Sequence, residues 1–176
     1  MTWMTLIAAS IYWFLPAYIA NITSTLAGVL HLPFSQPLSV ELFGRNKSVR
    51  GVYAGILAAM IVVYLQKMLQ MEGAANAIRL IDYGAAHIWM LGLLMGTGTV
   101  LGDVVKSFFK RRLEKREGTP WVPFDQLDFV LGALLFTLPF YPVEWTPIVI
   151  VITLSPLLHF AVNVIGYFLG VKNVWW

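Results

Sequence analysis

Long apolar runs without charged residues dominate this sequence. A helix that crosses the hydrocarbon core of a bilayer needs about 20 mostly apolar residues. Three stretches meet this requirement with at most one charge, which lies near an end: Trp3–Ala20, Gly51–Met71 and Tyr83–Gly102. A further stretch, Trp145–Val171, is uncharged and contains Pro156 as an expected kink. The sequence therefore predicts an all-α integral membrane protein.

Composition supports that class and excludes several functions. The 176 residues are 59% hydrophobic and 12% charged, whereas soluble domains carry about 25% charged residues. The absence of cysteine excludes disulfides, thiolate metal sites and a cysteine nucleophile. A net charge of +3 is compatible with a nucleic-acid binder, but basic residues in a membrane protein usually mark cytoplasmic loops, so no nucleic-acid partner is expected. The length predicts a single domain over residues 1–176.

One more span, the fourth along the chain, depends on where its helix begins. Phe129–Val143 is too short, and it reaches the required length only if the helix starts near Pro123. Proline suits a first helical turn because its missing N–H would be unpaired there. Asp125 and Asp128 then share one face of the first turns. Asp103 ends the preceding span on the same side, so we expect the three carboxylates to meet at one depth.

Lys and Arg are distributed unevenly across the predicted spans. Of the 12 such residues, all but Lys67 and Arg79 lie on one side. They fall in the loop around Lys47, between Lys106 and Arg116, and at Lys172. The positive-inside rule makes that side cytoplasmic. A bundle of about five transmembrane helices then has its N-terminus outside, its C-terminus in the cytoplasm, and cytoplasmic loops at about 21–50 and 103–124.

Glycines recur at four-residue spacing within the spans. The pairs are Gly51/Gly55, Gly92/Gly96 and Gly98/Gly102. Pairs of small residues at this spacing let helix backbones approach closely. They predict tight packing within the bundle in preference to a dimerisation signal. A homodimer is the alternative interpretation.

The segment from Gly102 to Asp128 interleaves acidic and basic side chains. An ordinary positive-inside loop accounts for its basic residues, but not for carboxylates at membrane depth, where ionised groups are costly and usually functional. Carboxylates hold Mg²⁺, which bridges phosphates, and Lys and Arg neutralise the remaining phosphate oxygens. Without Cys or a Ser–His pairing, the pattern favours metal-assisted phosphoryl or nucleotidyl transfer.

Other polar residues allow two interpretations each. The small and basic residues of Gly44–Gly51 form either a phosphate-binding turn or a routine basic cap on the second span. Asn21, at the cytoplasmic end of the first span, is either a headgroup contact or a helix cap. His159 and Asn163, inside the last span, are expected to make hydrogen bonds between helices rather than a proton path.

The order of these motifs resembles the CTP-transferase family of membrane cytidylyltransferases, which includes bacterial CDP-diacylglycerol synthase. Gly102-Asp103, Ser107, Lys110-Arg111 and the Asp125–Asp128 stretch occupy the places of that family's signature. The bacterial Lys-Asp pair and His-Gly-Gly are missing, and Gln126 stands where Arg is usual. Two compact motifs, Gly-x-x-Lys-Ser-x-Arg-Gly at 44–51 and Pro-x-Asp-Gln-x-Asp at 123–128, instead resemble the archaeal branch, the CDP-archaeol synthases. With both loops, the resemblance covers nearly the whole chain.

The resemblance implies a reaction and a set of site residues. CTP and an unsaturated archaetidic acid (digeranylgeranylglyceryl phosphate, an isoprenoid glycerophosphate) would give CDP-archaeol and pyrophosphate, with Mg²⁺, at the cytoplasmic face of the cell membrane. Open alternatives are CDP-diacylglycerol synthase acting on phosphatidic acid and a non-enzymatic lipid-binding or transport protein. The implied catalytic residues are Asp103, Lys106, Ser107, Lys110, Arg111, Asp125 and Asp128, with Asp103, Asp125 and Asp128 as metal ligands. The implied substrate-binding residues are Asn21, Asn46, Lys47, Ser48, Arg50, Arg112 and Gln126.

Overall fold

The computed structural model describes residues 1–85, 87–115 and 119–170. Within these ranges the chain forms six α-helices and no β-strand. They are α1 (Trp3–Leu26), α2 (Val40–Phe43), α3 (Val49–Met71), α4 (Ile88–Arg112), α5 (Phe124–Thr137) and α6 (Trp145–Phe168), with a 3₁₀ turn at Asn76–Ile78. The predicted end of the last span at Val171, and two basic residues used for the topology, Arg116 and Lys172, lie outside the described residues.

The predicted membrane fold is confirmed by the length of the helices. In the described part of the chain, α1, α3, α4 and α6 are long and apolar enough to cross a membrane. The predicted loop 103–124 is corrected, because α4 continues past Gly102 to Arg112. No Gly or Pro interrupts this stretch, and the basic residues of its last turn suit the negative end of the helix dipole. α1 likewise runs past Ala20 to Leu26.

The fourth predicted span is a shorter helix than expected. α5 begins at Phe124, directly after Pro123, which agrees with the start that the required span length predicted. It ends at Thr137 rather than near Val143. Pro139 accounts for the early end, because proline lacks an N–H and disfavours helical backbone in the residue before it. Its 14 residues fall short of the roughly 20 that a span needs.

Glycines set how closely α4 approaches its neighbours. At Gly92, an added Cβ would lie 2.8 Å from the Cα of Met60 in α3. At Gly102, an added Cβ would lie 2.9 Å from the carbonyl carbon of Asp128 in α5. The close packing predicted from the glycine spacing is confirmed. Because Gly102 lies against the backbone of Asp128, the neighbouring Asp103 comes to the same level as the start of α5.

The last helix lies at the periphery of the bundle. α6 packs against α1 and α5. Many of its large apolar side chains, including Val149, Leu157 and Ile165, are more than half exposed. In a bilayer such side chains contact lipid chains, so α6 forms a thin wall between the bundle interior and the membrane.

Candidate active site

Three carboxylates converge on the ammonium group of Lys106. Its Nζ lies 3.2 Å from Oδ1 of Asp103, 2.9 Å from Oδ1 of Asp125 and 2.9 Å from Oδ2 of Asp128. Asp103 and Lys106 lie one turn apart on α4, and the other two acids lie in the first turns of α5. The structure therefore brings the acids together as the sequence predicted. The side chain of Asp128 is only 5% exposed, so its charge is well shielded from solvent.

Two further lysines extend this network in opposite directions. Lys47, from the first loop, forms an ion pair with Oδ2 of Asp103. Lys110, one turn after Lys106, has its Nζ 3.2 Å from Oδ2 of Asp125. Within the described residues the network thus alternates three Asp with three Lys, and their formal charges cancel. It ties the first loop, α4 and α5 together, and we call it the Asp–Lys network.

The loop that carries Lys47 is held by backbone and capping bonds. The N–H of Leu38 donates to the carbonyl of Lys47 at 2.8 Å. The hydroxyl of Ser48 accepts from the N–H of Gly51 at 3.4 Å and caps α3. Gly44 has φ 84°, a conformation that glycine adopts without strain. The Gly44–Gly51 motif therefore forms a turn that leads into α3 and directs Lys47 at Asp103.

Asp125 accepts more hydrogen bonds than either of the other two acids. Besides the lysine contacts, its Oδ2 accepts a hydrogen bond from the N–H of Trp121 at 2.6 Å. Lys110 donates to both of its oxygens, at 3.2 and 3.3 Å. These contacts fasten the connector before α5 to the end of α4. Asp125 is thus mainly engaged in holding the two helix ends together.

A polar cavity lies between the first loop, the end of α1 and the middle of α4. Its volume is about 390 Å³. Its lining is rich in amide, hydroxyl and basic side chains, with one acid, Asp103: Asn21, Ser24, Thr25, Arg45, Asn46, Lys47, Ser48, Arg50 and Thr99. In the described part of the chain, the buried hydroxyl of Thr99 and the buried Nε of Arg50 have no hydrogen-bond partner. Buried donors without a partner are costly unless something binds them.

A second, more apolar cavity lies between α1, the start of α5 and α6. Its volume is about 530 Å³. One wall is apolar and includes Ile22 and Leu26 of α1 with Val162, Ile165 and Leu169 of α6. The opposite wall carries the lysines and acids of the Asp–Lys network together with Gln126. This cavity therefore joins an apolar surface to a charged one.

The two cavities meet at a shared set of polar residues. Among the described residues, both are lined by Asn21, Thr25, Asn46, Lys47 and Asp103. Of these, Lys47 and Asp103 belong to the Asp–Lys network. Groups bound in the two cavities would therefore come together at this network.

Not every residue singled out from the sequence reaches a cavity. The hydroxyl of Ser107 donates to the carbonyl of Asp103 at 2.8 Å, within α4. The guanidinium of Arg112 lies 5.3 Å from the ring centroid of Phe108. Arg111 and Arg112 occupy the last turn of α4 and are not among the described residues that line either cavity.

Sequence reasoning also missed several lining residues. Ser24 and Thr99 line the polar cavity. His159 and Asn163 line the apolar one and form a hydrogen bond with each other along α6, at 3.3 Å. The polar run Asn21–Thr25 at the end of the first span was a usable signal, because such runs are unusual inside a membrane helix. Nothing in the sequence pattern linked α6 to the charged segment.

The carboxylate oxygens at this site are of the kind that coordinate Mg²⁺. Mg²⁺ is usually held by one or two carboxylates together with phosphate oxygens and water. Within the described residues, no three acidic or histidine side chains are arranged to hold a metal ion by themselves. Asp103 and Asp128 already share a cation, the ammonium of Lys106. Asp103 has Lys47 and Lys106 as partners, and Asp128 has Lys106 and the N–H of Phe129. Both have fewer partners than Asp125, so they better fit a site that phosphate and water complete.

The fold and the site together define a multi-pass membrane protein with a charged centre between a polar and an apolar cavity. The family model described as CarS-like: CDP-archaeol synthase matches residues 3–176. The chain belongs to this family.

Individual relatives agree with that assignment. The CDP-archaeol synthase of Methanospirillum hungatei is 38% identical, with 92% of this chain and 99% of the relative covered. That of Methanocaldococcus jannaschii is 34% identical, with 97% and 98% covered. The solved structure of an intramembrane enzyme for archaeal membrane lipids biosynthesis has a TM-score of 0.69 and 31% identity, and the match covers 87% of this chain and 91% of that one. The resemblance to the archaeal branch is thereby confirmed.

Proposed function

We propose that this protein is a membrane cytidylyltransferase that joins CTP to unsaturated archaetidic acid, giving CDP-archaeol and pyrophosphate. The observation that carries the proposal is the Asp–Lys network at the meeting point of a polar and an apolar cavity. Such a junction suits a reaction between a nucleotide and a lipid phosphate. Membership of a family described as CDP-archaeol synthase supports the same reaction.

The polar cavity is the better place for CTP. Its volume of about 390 Å³ lies within the range of small-molecule sites. Lys47 and Arg50 supply positive charge for the triphosphate, and Thr99 supplies a buried hydroxyl without a protein partner in the described part of the chain. The amides of Asn21 and Asn46 offer donors and acceptors to the nucleotide.

The apolar cavity is the better place for the lipid. Its wall of Leu26, Val162 and Ile165 suits isoprenoid chains, which carry no polar groups. Lys106 and Lys110 lie on its charged wall, where a lipid phosphate can accept hydrogen bonds from their ammonium groups. In the described part of the chain, α6 lies at the periphery of the bundle and forms a wall of this cavity on the side of the surrounding lipid.

The chain's own residues position and neutralise the reacting phosphates. A phosphate oxygen of the lipid attacks the α-phosphorus of CTP, and the bond from that phosphorus to the oxygen leading to the β-phosphorus breaks, so that pyrophosphate leaves with the electron pair. No side chain is needed as a nucleophile, in line with the hydroxyl of Ser107 donating within α4. The lysines of the network hold the two anions together against their repulsion. Mg²⁺, when held by Asp103 and Asp128, would supply further charge neutralisation at the phosphates.

The same proposal includes the membrane and the side on which the site lies. The Lys and Arg distribution favours a site that faces the cytoplasm of the cell, where CTP is available. Fusion of a reporter to the N-terminus should locate it outside the cytoplasm, and cytoplasmic labelling of the fusion would contradict this orientation.

An assay with a series of lipid phosphates tests the function. Purified protein with Mg²⁺ and radiolabelled CTP would receive digeranylgeranylglyceryl phosphate, its saturated counterpart or phosphatidic acid. We expect a CDP-lipid from the isoprenoid ether phosphate, at a higher kcat/KM than from phosphatidic acid. Equal or better use of phosphatidic acid would favour a CDP-diacylglycerol synthase. Absence of any CDP-lipid with every divalent metal would overturn the transferase proposal in favour of lipid binding.

A further inference from the structure

The ammonium of Lys106 occupies the point at which the carboxylates converge. Its Nζ is 2.9 Å from both Asp125 and Asp128 and 3.2 Å from Asp103. Oxygens from three carboxylates around one point form an environment suited to a cation, and here the cation belongs to the protein. The side chains of the three acids are only 5–23% exposed, so solvent screens their charges only weakly.

The charges of the network explain why a protein cation is placed there. Among the described residues, three Asp and three Lys balance each other. Without the ammonium of Lys106, the acids would repel one another in a poorly solvated site. A divalent ion added alone would leave the balanced network with excess positive charge, and a nucleotide added alone would leave it with excess negative charge. Bound together, the ion and the nucleotide partly cancel each other's charge, and the phosphates can also accept hydrogen bonds from the lysines.

Lysine is well suited to leave this position. Its ammonium group sits on a flexible four-carbon stem and donates three hydrogen bonds in any direction. Lys106 lines the apolar cavity, so there is space beside it into which the group can turn. A phosphate at the junction of the cavities would accept the hydrogen bonds that the carboxylates lose.

We propose that the ammonium of Lys106 takes the place of the metal ion until the nucleotide is bound. The ammonium then transfers from the carboxylates of Asp103 and Asp128 to a phosphate, and the two carboxylates become available to the metal. Metal binding is weak without nucleotide and strengthened by it. This inference rests on the proposed function, because it takes Mg²⁺ and CTP as ligands of this site.

The test measures metal binding directly. Mn²⁺ serves as the probe, and the free ion is measured by electron paramagnetic resonance during titration of the purified full chain. Each titration is run with and without a CTP analogue that has a methylene group between the α- and β-phosphorus, which prevents turnover. The Mn²⁺ bound by the analogue alone is measured without protein and subtracted. The variants are Lys106→Met and Lys106→Gln, which remove the charge, and Lys106→Arg, which keeps it. Lys67→Met is the matched control, because it removes one ammonium from α3 outside the network.

In the wild type, the analogue should strengthen Mn²⁺ binding about tenfold or more, within the usual range of coupling between two ligands. Lys106→Met and Lys106→Gln should bind Mn²⁺ alone about tenfold more tightly than the wild type and lose most of the coupling. Lys106→Arg and Lys67→Met should keep weak binding of Mn²⁺ alone. A residue that only stabilised the fold would not strengthen metal binding on removal.

Several results would overturn the inference. Neutral variants at position 106 that bind Mn²⁺ no more tightly than Lys67→Met would do so, as would tight binding by Lys106→Arg. If the neutral variants fail to fold, equal Mn²⁺ affinity of the wild type with and without the analogue still contradicts the inference, and so does tight Mn²⁺ binding by Lys106→Arg. If the wild type makes CDP-lipid, any of these results overturns the inference about Lys106 but leaves the proposed function in place. A wild type that binds no Mn²⁺ even with the analogue would instead remove both the inference and the proposed metal.

Discussion

The close approach of α4 and α5 at Gly102 makes a quantitative prediction about activity. A Cβ added at this position would lie 2.9 Å from the carbonyl carbon of Asp128 and 3.2 Å from the Cα of Gly132. Carbon atoms in contact normally lie about 3.5–4.0 Å apart, so Gly102→Ala should push the start of α5 away by about 0.5–1 Å. That shift separates Asp128 from Asp103.

A displacement of α5 by less than about 1 Å should cause a large loss of catalytic rate. A misplacement of about 1 Å among catalytic groups can cost about 100-fold in rate, so we expect turnover to fall about 10- to 100-fold. Overpacking should also lower the free energy of unfolding by about 1–3 kcal/mol. Turnover is measured as the initial rate of CDP-lipid formation, and stability as thermal unfolding in the same detergent.

Gly92→Ala is the matched control for this prediction. A Cβ at Gly92 would lie 2.8 Å from the Cα of Met60, so this substitution also presses a methyl group against a neighbouring helix backbone. The conflict at Gly102 is greater, because a Cβ there would also meet the carbonyl oxygen of Asp128. Ten residues of helix separate the two glycines, or about 15 Å along α4. We expect a loss of stability no greater than that of Gly102→Ala, and less than about a threefold loss of rate, because the changed contact lies far from the reacting groups. Equal losses of rate in both variants, or none in either, would refute the argument that the α4–α5 contact positions the acids.

Three further substitutions test individual members of the network. Asp128→Asn should lower turnover at least about 100-fold while the protein remains extractable and folded, because a shielded charge is lost from the centre; near-wild-type turnover would contradict its role. Asp125→Asn should lower turnover by only about tenfold, because the amide oxygen can still accept from the N–H of Trp121. Limited proteolysis should nevertheless cut the connector before α5 faster than in the wild type. An unchanged digestion pattern would argue against the fastening role. Lys47→Met should raise the KM for CTP about tenfold, because it removes a positive charge from the lining of the polar cavity; an unchanged KM would place CTP elsewhere.

The spans could be predicted from the sequence because they depend on local composition. A helix in lipid must satisfy its own backbone and bury its own apolar length, so uncharged runs identify it without tertiary information. The start of α5 followed from the same reasoning, since a proline and a length requirement placed Asp125 and Asp128 in its first turns. Its early end did not, because the expected span length took precedence over Pro139.

The connections between distant segments could not be predicted in the same way. Lys47 and Asp103 lie 56 residues apart, and their pairing depends on how the first loop folds over α4. The extension of α4 to Arg112 placed Lys106 and Lys110 on one helix face, where they meet the acids of α5. Sequence spacing identified the charged residues, but only the packed helices show that the lysines contact carboxylates.

The contribution of α6 was the least accessible to sequence reasoning. Its apolar residues look like those of any span, and its polar pair His159 and Asn163 has no spacing typical of a site. Only the packing of α6 against α1 and α5 turns its inner face into a cavity wall. A lipid site formed between transmembrane helices leaves little trace in a single sequence, because the residues that line it are as apolar as those that face the bilayer.

Transfer of the cytidylyl group to the lipid phosphate is most directly tested by following the phosphorus atoms of CTP. The protein is incubated with digeranylgeranylglyceryl phosphate and CTP labelled either at the α- or at the γ-phosphorus. The α-label should appear in the lipid product, and the γ-label should be released as pyrophosphate in equal amount. Appearance of the γ-label in the lipid, or release of the α-label as free nucleotide without a labelled lipid, would contradict attack at the α-phosphorus.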